Sequence, residues 1–115
     1  MNMIFHITPQ ADWDAARAAG VYRADSLEKD GFIHCSTGQQ ILMVANSLYR
    51  GCQNLALLCI DPAAVGPDIV YEDCYEMGQE FPHIYGPLNI DAVVRILDFP
   101  PGEDGTFVLP SGIIE

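Results

Sequence analysis

Six consecutive apolar residues, Leu55–Ile60, constrain the fold more than any other segment of this chain. The run is far shorter than the roughly 18 residues that a membrane-spanning helix needs, and Asp61 and Pro62 end it abruptly. A short apolar run with such an end is typical of a strand that is buried on both faces. We therefore expect Leu55–Ile60 to be the central strand of a sheet.

The first predicted helix follows a strand over Met3–Thr8. Thr8 is the expected N-cap, and Pro9 suits the first helical turn because its missing N–H is not needed there. An alanine-rich segment follows and stops at Gly20, a residue that favours the left-handed conformation of a helix end. The sequence thus predicts a strand that leads directly into a helix.

The second predicted helix starts behind Ser36 and Gln39, which match a capping box. Apolar residues then recur at helical spacing until Gly51. Two helices followed by four or more strands predict a single α+β domain, residues 1–115, with a mixed sheet. Further strands are expected over Val21–Arg23, Phe32–Cys35, Ile69–Glu72, Phe81–Tyr85 and Ala92–Phe99, with an edge strand over Phe107–Leu109 in a Pro/Gly-containing tail, residues 100–115.

Charge is distributed unevenly along the chain, whose formal net charge is −11. Residues 1–50 sum to −1, from four basic and five acidic residues, and residues 51–115 sum to −10, from one basic and 11 acidic residues. The acidity argues against nucleic acid and anionic membranes as partners. A site for a small anionic ligand should come mostly from the first half. Because the N-terminus lacks a basic signal segment, we expect a cytoplasmic protein with free thiols.

One local pattern occurs twice: a strand carries His, any residue, and then Thr or Ser. The two copies are His6 with Thr8 and His34 with Ser36. The two-residue period of a strand places His6 and Thr8 on one face. Each copy is expected beside a helix N-terminus, where backbone N–H groups favour anions. If the strands are neighbours, both histidines line one cleft; the alternative is that the hydroxyl residues only cap helices.

The third histidine lies in a segment where Phe81, His83 and Tyr85 would share one face of a strand. Such rings could stack on a planar ligand, for example a nicotinamide or a nucleobase. The alternative is that Phe81 and Tyr85 are core residues and that His83 bonds a backbone carbonyl. Pro82 lacks a ladder donor, which favours a sheet edge or the start of a strand.

Two further kinds of site remain open. His6, His34 and His83 could converge on a metal ion, although their spacing matches no metal-binding motif. In the acidic segment that ends at Glu80, most carboxylates should be solvated. Either Glu72 or Glu80 could instead face the cleft and stabilise positive charge.

Four segments together resemble the small bacterial family called domain of unknown function 952. They are Phe5-His6-Ile7-Thr8, Gly31-Phe32-Ile33-His34-Cys35-Ser36-Thr37, Val44-Ala45-Asn46 and Phe81-Pro82-His83-Ile84-Tyr85-Gly86-Pro87-Leu88. The resemblance covers residues 1–99 and not the tail. That family is grouped by fold with the ADP-ribosyltransferases and RNA 2′-phosphotransferases, which bind NAD or an ADP-ribosylated intermediate in a split-sheet cleft.

The resemblance implies an ADP-ribosyltransferase-like split sheet with NAD as substrate or ligand. It implies that His6 contacts a ribose and that His34 positions the nicotinamide ribose or phosphate. No glutamate matches the position that commonly polarises that ribose. The implied function is an ADP-ribosyl transferase or NAD glycohydrolase; the alternatives are a non-catalytic nucleotide-binding module and a metal-dependent enzyme that uses three histidines. The residues expected to act are His34 and His83 in catalysis and His6, Thr8, Ser36 and Tyr85 in cofactor binding.

Overall fold

The computed structural model describes residues 3–110 and places nine strands and three α-helices among them. The strands are β1 (Ile4–Pro9), β2 (Val21–Tyr22), β3 (Ile33–His34), β4 (Ser36–Thr37), β5 (Leu55–Ile60), β6 (Ile69–Glu72), β7 (Phe81–Ile84), β8 (Leu88–Asn89) and β9 (Val93–Asp98). The helices are α1 (Gln10–Ala19), α2 (Ser26–Lys29) and α3 (Ile41–Leu48), and short 3₁₀ turns lie at Pro62–Ala64 and Ile90–Ala92.

The largest sheet has the strand order β4-β1-β5-β9. All six residues of β5 are buried, which confirms the prediction of a central strand. β1 pairs with β5 along its whole length, from Ile4 opposite Ile60 to Pro9 opposite Leu55. The residues of the first histidine pattern therefore belong to an inner strand of the largest sheet.

Two smaller sheets complete the domain, with the orders β3-β7-β6 and β2-β8. Every strand pair within the described part of the chain is antiparallel, so the expected mixed sheet is wrong. A parallel pair was possible at one place, because α3 is a crossover connection between β4 and β5. These two strands run in the same direction, but β1 lies between them and runs opposite to both. The α+β architecture with two main helices is confirmed.

Hydrophobic residues cover both faces of the large sheet, because successive side chains of a strand point to opposite faces. On one face Ile4 and Leu58 pack in a cluster with Trp13 of α1. On the other face Phe5 and Leu57 pack in a cluster that includes residues of α3. The two main helices thus belong to opposite layers. Within residues 3–110, no helix is long and apolar enough to cross a membrane. All four cysteines are free thiols.

The predicted end of α1 is confirmed, but its predicted cap is wrong. Gly20 ends the helix in the left-handed conformation, with φ of 85°. At the other end Pro9 occupies the capping position, and no side chain caps the helix. Thr8 remains in β1, where it is buried and its hydroxyl bonds the hydroxyl of Tyr22. The Thr8 hydroxyl, which a local cap would use, is therefore bonded to Tyr22, 14 residues away in the sequence.

The capping box predicted for α3 is also wrong. Ser36 lies in β4 opposite Phe5, so sheet pairing competes successfully with the local cap. The nearest equivalent is one residue further on, where the side chain of Gln40 accepts a hydrogen bond from the Thr37 N–H at 3.0 Å. α3 begins only at Ile41. Neither histidine pattern therefore leads directly into a helix N-terminus through a side-chain cap.

The tail takes part in the core without forming the expected strand. Residues 107–109 have no regular secondary structure, so the edge strand predicted there is wrong. Phe107 is nevertheless 3% exposed and stacks on Phe99, with ring centroids 4.8 Å apart. Its N–H donates to the side-chain oxygen of Asn46 at 2.7 Å. The last five residues of the expected tail lie outside the described part of the chain.

Candidate functional site

A cavity of about 510 Å³ lies against β1, the β3–β4 segment and α3. This volume is within the range of small-molecule sites. All lining residues except Tyr75, Met77 and Phe81 come from the first 50 residues. The charge distribution predicted this origin for a site that binds an anion, but no Lys or Arg lines this cavity among residues 3–110. Four of the six predicted site residues line the cavity: His6, Thr8, His34 and Ser36.

His6 is buried, and both nitrogens of its ring have protein partners. Nδ1 donates to the carbonyl oxygen of His34 at 2.6 Å, and Nε2 lies 2.8 Å from the hydroxyl of Tyr22. That hydroxyl also bonds Thr8 at 3.0 Å, which confirms that His6 and Thr8 share a face. Burial lowers the pKa of His6 from 6.5 to about 4. His6 is therefore a neutral side chain that fixes the position of the β3 backbone.

His34 is partly exposed, and each of its ring nitrogens contacts a side chain. Nε2 lies 2.8 Å from the Asp30 carboxylate, four residues earlier in the chain. Because a carboxylate accepts, this contact places a hydrogen on Nε2 and orients the ring. Nδ1 faces the hydroxyl of Tyr75, which also lines the cavity.

Tyr75 connects the cavity to the second predicted catalytic histidine. Its hydroxyl lies 3.1 Å from Nε2 of His83, and His83 Nδ1 lies 2.9 Å from the Glu72 carboxylate. The Tyr85 hydroxyl donates to the same oxygen of Glu72. Burial raises the pKa of Tyr75 to about 12, so its hydroxyl keeps its proton at neutral pH. We refer to the connected side chains Asp30, His34, Tyr75, His83, Glu72 and Tyr85 as the relay.

A turn in the acidic segment holds Tyr75 in position. The two carboxylate oxygens of Asp73 accept hydrogen bonds from the N–H groups of Met77 and Gly78, at 2.9 and 2.8 Å. These bonds lower the pKa of Asp73, the bond from Met77 most of all. The acidic segment is therefore an ordered loop rather than the merely solvated one that its charge predicts.

Glu72, and not Glu80, is the glutamate that enters the relay. The hydrogen bond from Tyr85 is the largest cause that lowers the pKa of Glu72, and the bond from His83 is the next largest. Glu80 is exposed, and its main-chain oxygen accepts a bond from the Gln40 side chain at 2.7 Å. Neither glutamate lines the cavity.

The ring surface expected on β7 does not form. β7 is the middle strand of its sheet, and the Pro82 carbonyl accepts from the Cys35 N–H at 3.0 Å, so of the two expected positions the sheet edge is wrong. Pro82 is the second residue of β7, near the start of the strand. His83 has no exposed surface, and Phe32 stacks on its ring at a centroid distance of 4.0 Å. Tyr85 is partly exposed but lies outside the cavity wall. The protein itself covers the face on which a planar ligand was expected to stack.

The three-histidine metal site is also wrong for the described residues. The His6 nitrogens face a carbonyl and a hydroxyl, while the rings of His34 and His83 meet through Tyr75. The metal-ligating atoms that do converge belong to Glu72, Cys74 and His83, and they lie within 4.8 Å of one another. This cluster lies outside the cavity wall.

Sequence reasoning did not identify Tyr22, Asp30 or Tyr75. Asp30 is four residues before His34, but α2 ends at Lys29 and His34 lies in β3, so the helical spacing rule does not predict their contact. Tyr75 is 41 residues from His34, and no spacing rule connects them.

The fold and the site define a class of small antiparallel α+β proteins in which a hydrogen-bonded relay borders a histidine-lined cavity. The chain belongs to the family described as "Protein of unknown function (DUF952)", whose sequence model matches residues 7–96. This finding agrees with the resemblance in the sequence and with its limit near residue 99.

Solved structures of one bacterial protein are similar to the chain over most of its length. The crystal structure of protein CC0527 from Caulobacter crescentus is 36% identical, with a TM-score of 0.84, over 92% of this chain and 93% of that one. A double mutant of CC0527 gives the same values. Its solution NMR structure is 37% identical, with a TM-score of 0.79, over 90% of each chain. No curated protein matches the chain significantly.

Proposed function

We propose that the cavity binds the nicotinamide riboside end of NAD and that the chain cleaves the nicotinamide–ribose bond, with water or another small nucleophile as acceptor. The observation that carries the proposal is the hydrogen-bonded pair of His34 and Tyr75 in the wall of this cavity. His6, Thr8 and Ser36, three further predicted site residues in the same wall, support it.

The charges of the wall favour the cationic end of NAD. Asp12 and Asp25 are the only Asp, Glu, Lys or Arg side chains that line the cavity among residues 3–110. Carboxylates attract the positively charged nicotinamide ring and the oxocarbenium-like transition state that forms as its bond breaks. They repel the pyrophosphate, which therefore lies outside the cavity in the bound state.

The relay supplies a path for the proton that the reaction releases. The bond between the anomeric carbon and nicotinamide breaks, and its electron pair neutralises the nicotinamide ring. The oxygen of water then bonds the anomeric carbon and gives its proton to the Tyr75 hydroxyl, which passes its own proton to His34 Nδ1. Asp30 stabilises the imidazolium that results. His6 touches no reacting atom in this scheme and acts as a positioning residue for His34.

A binding experiment tests the electrostatic part of the proposal. Nicotinamide riboside, NAD and ADP-ribose are each titrated into the labelled chain, and the NMR signals of His34 and Tyr75 are followed. We expect nicotinamide riboside and NAD to shift these signals at millimolar concentration or below, and ADP-ribose to shift them less because it lacks the cationic ring. No shift with either nicotinamide compound would contradict the proposal.

A release experiment tests the chemical part. Nicotinamide released from NAD is measured for the natural chain, for Tyr75→Phe and for Tyr71→Phe, a matched substitution of an exposed tyrosine on β6. We expect release to fall about 100-fold in Tyr75→Phe, a loss typical of a proton-transfer group, and to be unchanged in Tyr71→Phe. Binding of NAD without any release would identify a nucleotide-binding module and refute the enzymatic half of the proposal.

A further inference from the structure

Three different metal-ligating atoms meet at the end of the relay that lies outside the cavity. They are a carboxylate oxygen of Glu72, the sulfur of Cys74 and Nδ1 of His83, all within 4.8 Å of one another. We propose that these side chains bind a divalent metal ion of the zinc type. Mixed nitrogen, sulfur and oxygen ligands are typical of zinc sites.

The spacing of the three atoms is close to that of a tetrahedral site. Bond lengths of about 2.0 Å to nitrogen and oxygen and about 2.3 Å to sulfur imply ligand separations of roughly 3.3 Å for nitrogen–oxygen and 3.5 Å for nitrogen–sulfur. The observed distances from His83 Nδ1 are 2.9 Å to Glu72 and 3.9 Å to Cys74. The third separation, between Glu72 and Cys74, is at most 4.8 Å against about 3.5 Å in a tetrahedral site, so side-chain movements of up to about 1 Å would complete the geometry. Cys74 is exposed, which leaves room for water as a fourth ligand.

The hydrogen count of the relay leaves room for a cation at this end. If both histidines are neutral, Asp30 fixes the hydrogen of His34 on Nε2, and Glu72 fixes that of His83 on Nδ1. The remaining nitrogens, His34 Nδ1 and His83 Nε2, are then both acceptors, and both face the hydroxyl of Tyr75. One hydroxyl proton cannot serve two acceptors. The relay therefore lacks one hydrogen or one equivalent cation.

A metal ion on His83 Nδ1 removes this conflict. The ring then carries its hydrogen on Nε2 and donates to the Tyr75 oxygen, while Tyr75 donates to His34 Nδ1 and His34 donates to Asp30. Every bond then runs in one direction, and Tyr75 fixes the ligand tautomer as outer-shell partners do in metal sites. A second proton on His83 would give the same pattern. The thiol of Cys74 is the feature that favours a metal, and on binding it would release its proton to solvent.

Binding of Zn²⁺ and Co²⁺ to the full chain tests this inference without any nucleotide, so its failure is distinct from failure of the proposed function. Calorimetry should give one ion per chain, and bound Co²⁺ should show a thiolate-to-metal absorption band. Cys74→Ser should weaken binding by at least about tenfold and remove the band. Cys52→Ser alters the other exposed thiol and should change neither. Equal binding by both variants, or no binding at micromolar zinc, would overturn the proposal.

Two further measurements keep the inference testable if the serine variant folds poorly. Glu72→Gln retains the shape of the ligand but removes its charge, and it should also weaken binding at least about tenfold. Nitrogen NMR of His83 in the zinc-loaded chain should show a single hydrogen on Nε2. A doubly protonated His83 at neutral pH that zinc leaves unchanged would assign the missing cation to a proton and refute the metal site.

Discussion

The ring of His6 donates a hydrogen bond from Nδ1 to the main-chain carbonyl oxygen of His34 at 2.6 Å. This bond joins the inner strand of the large sheet to the strand that presents the relay to the cavity. The two histidines come from the same local pattern, yet one is buried and neutral while the other is partly exposed and bonded to side chains. Similar sequence therefore supports two different arrangements: His6 positions a backbone, and His34 is the group that accepts a proton in the proposed reaction.

Burial of His6 makes folding stability depend on pH. The pKa of His6 is about 4 in the folded chain and 6.5 without the fold, so the unfolded chain binds more protons between these values. Stability should therefore fall as the pH is lowered from 6.5 to 4. The shift corresponds to about 3 kcal/mol for this fully buried ring. Urea unfolding of the natural chain and of His6→Gln across this range measures it, because the variant lacks the titrating ring. Parallel pH profiles would contradict the assignment.

The hydroxyl of Tyr75 should stabilise the fold as well as serve the proposed reaction. It bonds Nε2 of His83, a ring without exposed surface. Loss of that partner in Tyr75→Phe should lower the free energy of unfolding by about 1–2 kcal/mol. Tyr71→Phe, on the exposed surface of β6, should change it by less than about 0.5 kcal/mol. Equal values for the two variants in urea unfolding would show that the Tyr75 bond contributes nothing.

Glu72 should control the titration of Tyr85. The hydrogen bond to the Glu72 carboxylate is the largest cause that raises the pKa of Tyr85 to about 12. In Glu72→Gln the pKa of Tyr85 should return toward 10, its ordinary value. Carbon NMR of the labelled tyrosine ring during a pH titration measures both values. Glu76→Gln alters a nearby exposed carboxylate and should leave Tyr85 unchanged. A Tyr85 pKa near 10 in the natural chain would refute the bond.

The tail should matter for stability although it lies beyond the matched family segment. Phe107→Ala removes a buried ring that stacks on Phe99 and should cost about 3–5 kcal/mol. Val108→Ala, at a side chain that is 77% exposed, should cost less than about 0.5 kcal/mol. Thermal and urea unfolding of the two variants provide the measurement. A Phe107→Ala chain as stable as the natural one would show that the tail is dispensable.

Strong local patterns predicted most of the framework. The unbroken apolar run Leu55–Ile60 identified the buried central strand, and the left-handed Gly20 identified the end of α1. The predictions of caps at Thr8 and Ser36 failed for one reason. Both residues lie in strands, where they contact partners that are distant in sequence. A cap is a local preference of about 1 kcal/mol, and a sheet ladder easily exceeds it.

The relay could be predicted only in part. Its two histidines were identified from a repeated pattern and a ring-rich segment, and Glu72 was one of two candidate carboxylates. Tyr75 was not identified because the bonds that define its role span 41 and eight residues. The bonds that order its loop begin at Asp73, whose charge by itself indicated a solvated segment. Contacts of this kind follow from the assembled sheets and not from residue spacing.

The pairing of β1 on both edges has a consequence for how the site opens. β4 and β5 flank Ile4 and Phe5 of β1, so the amide hydrogens of these two residues should exchange with solvent only when the whole domain unfolds. Tyr75 is held instead by a short loop on the carboxylate of Asp73, and its amide should exchange through local opening. The sheet side of the cavity is thus as stable as the whole domain, whereas the loop that carries Tyr75 can open to solvent without unfolding the sheet. Substitutions of loop residues other than Tyr75 should therefore adjust access to the cavity while the stability of the sheet is unchanged.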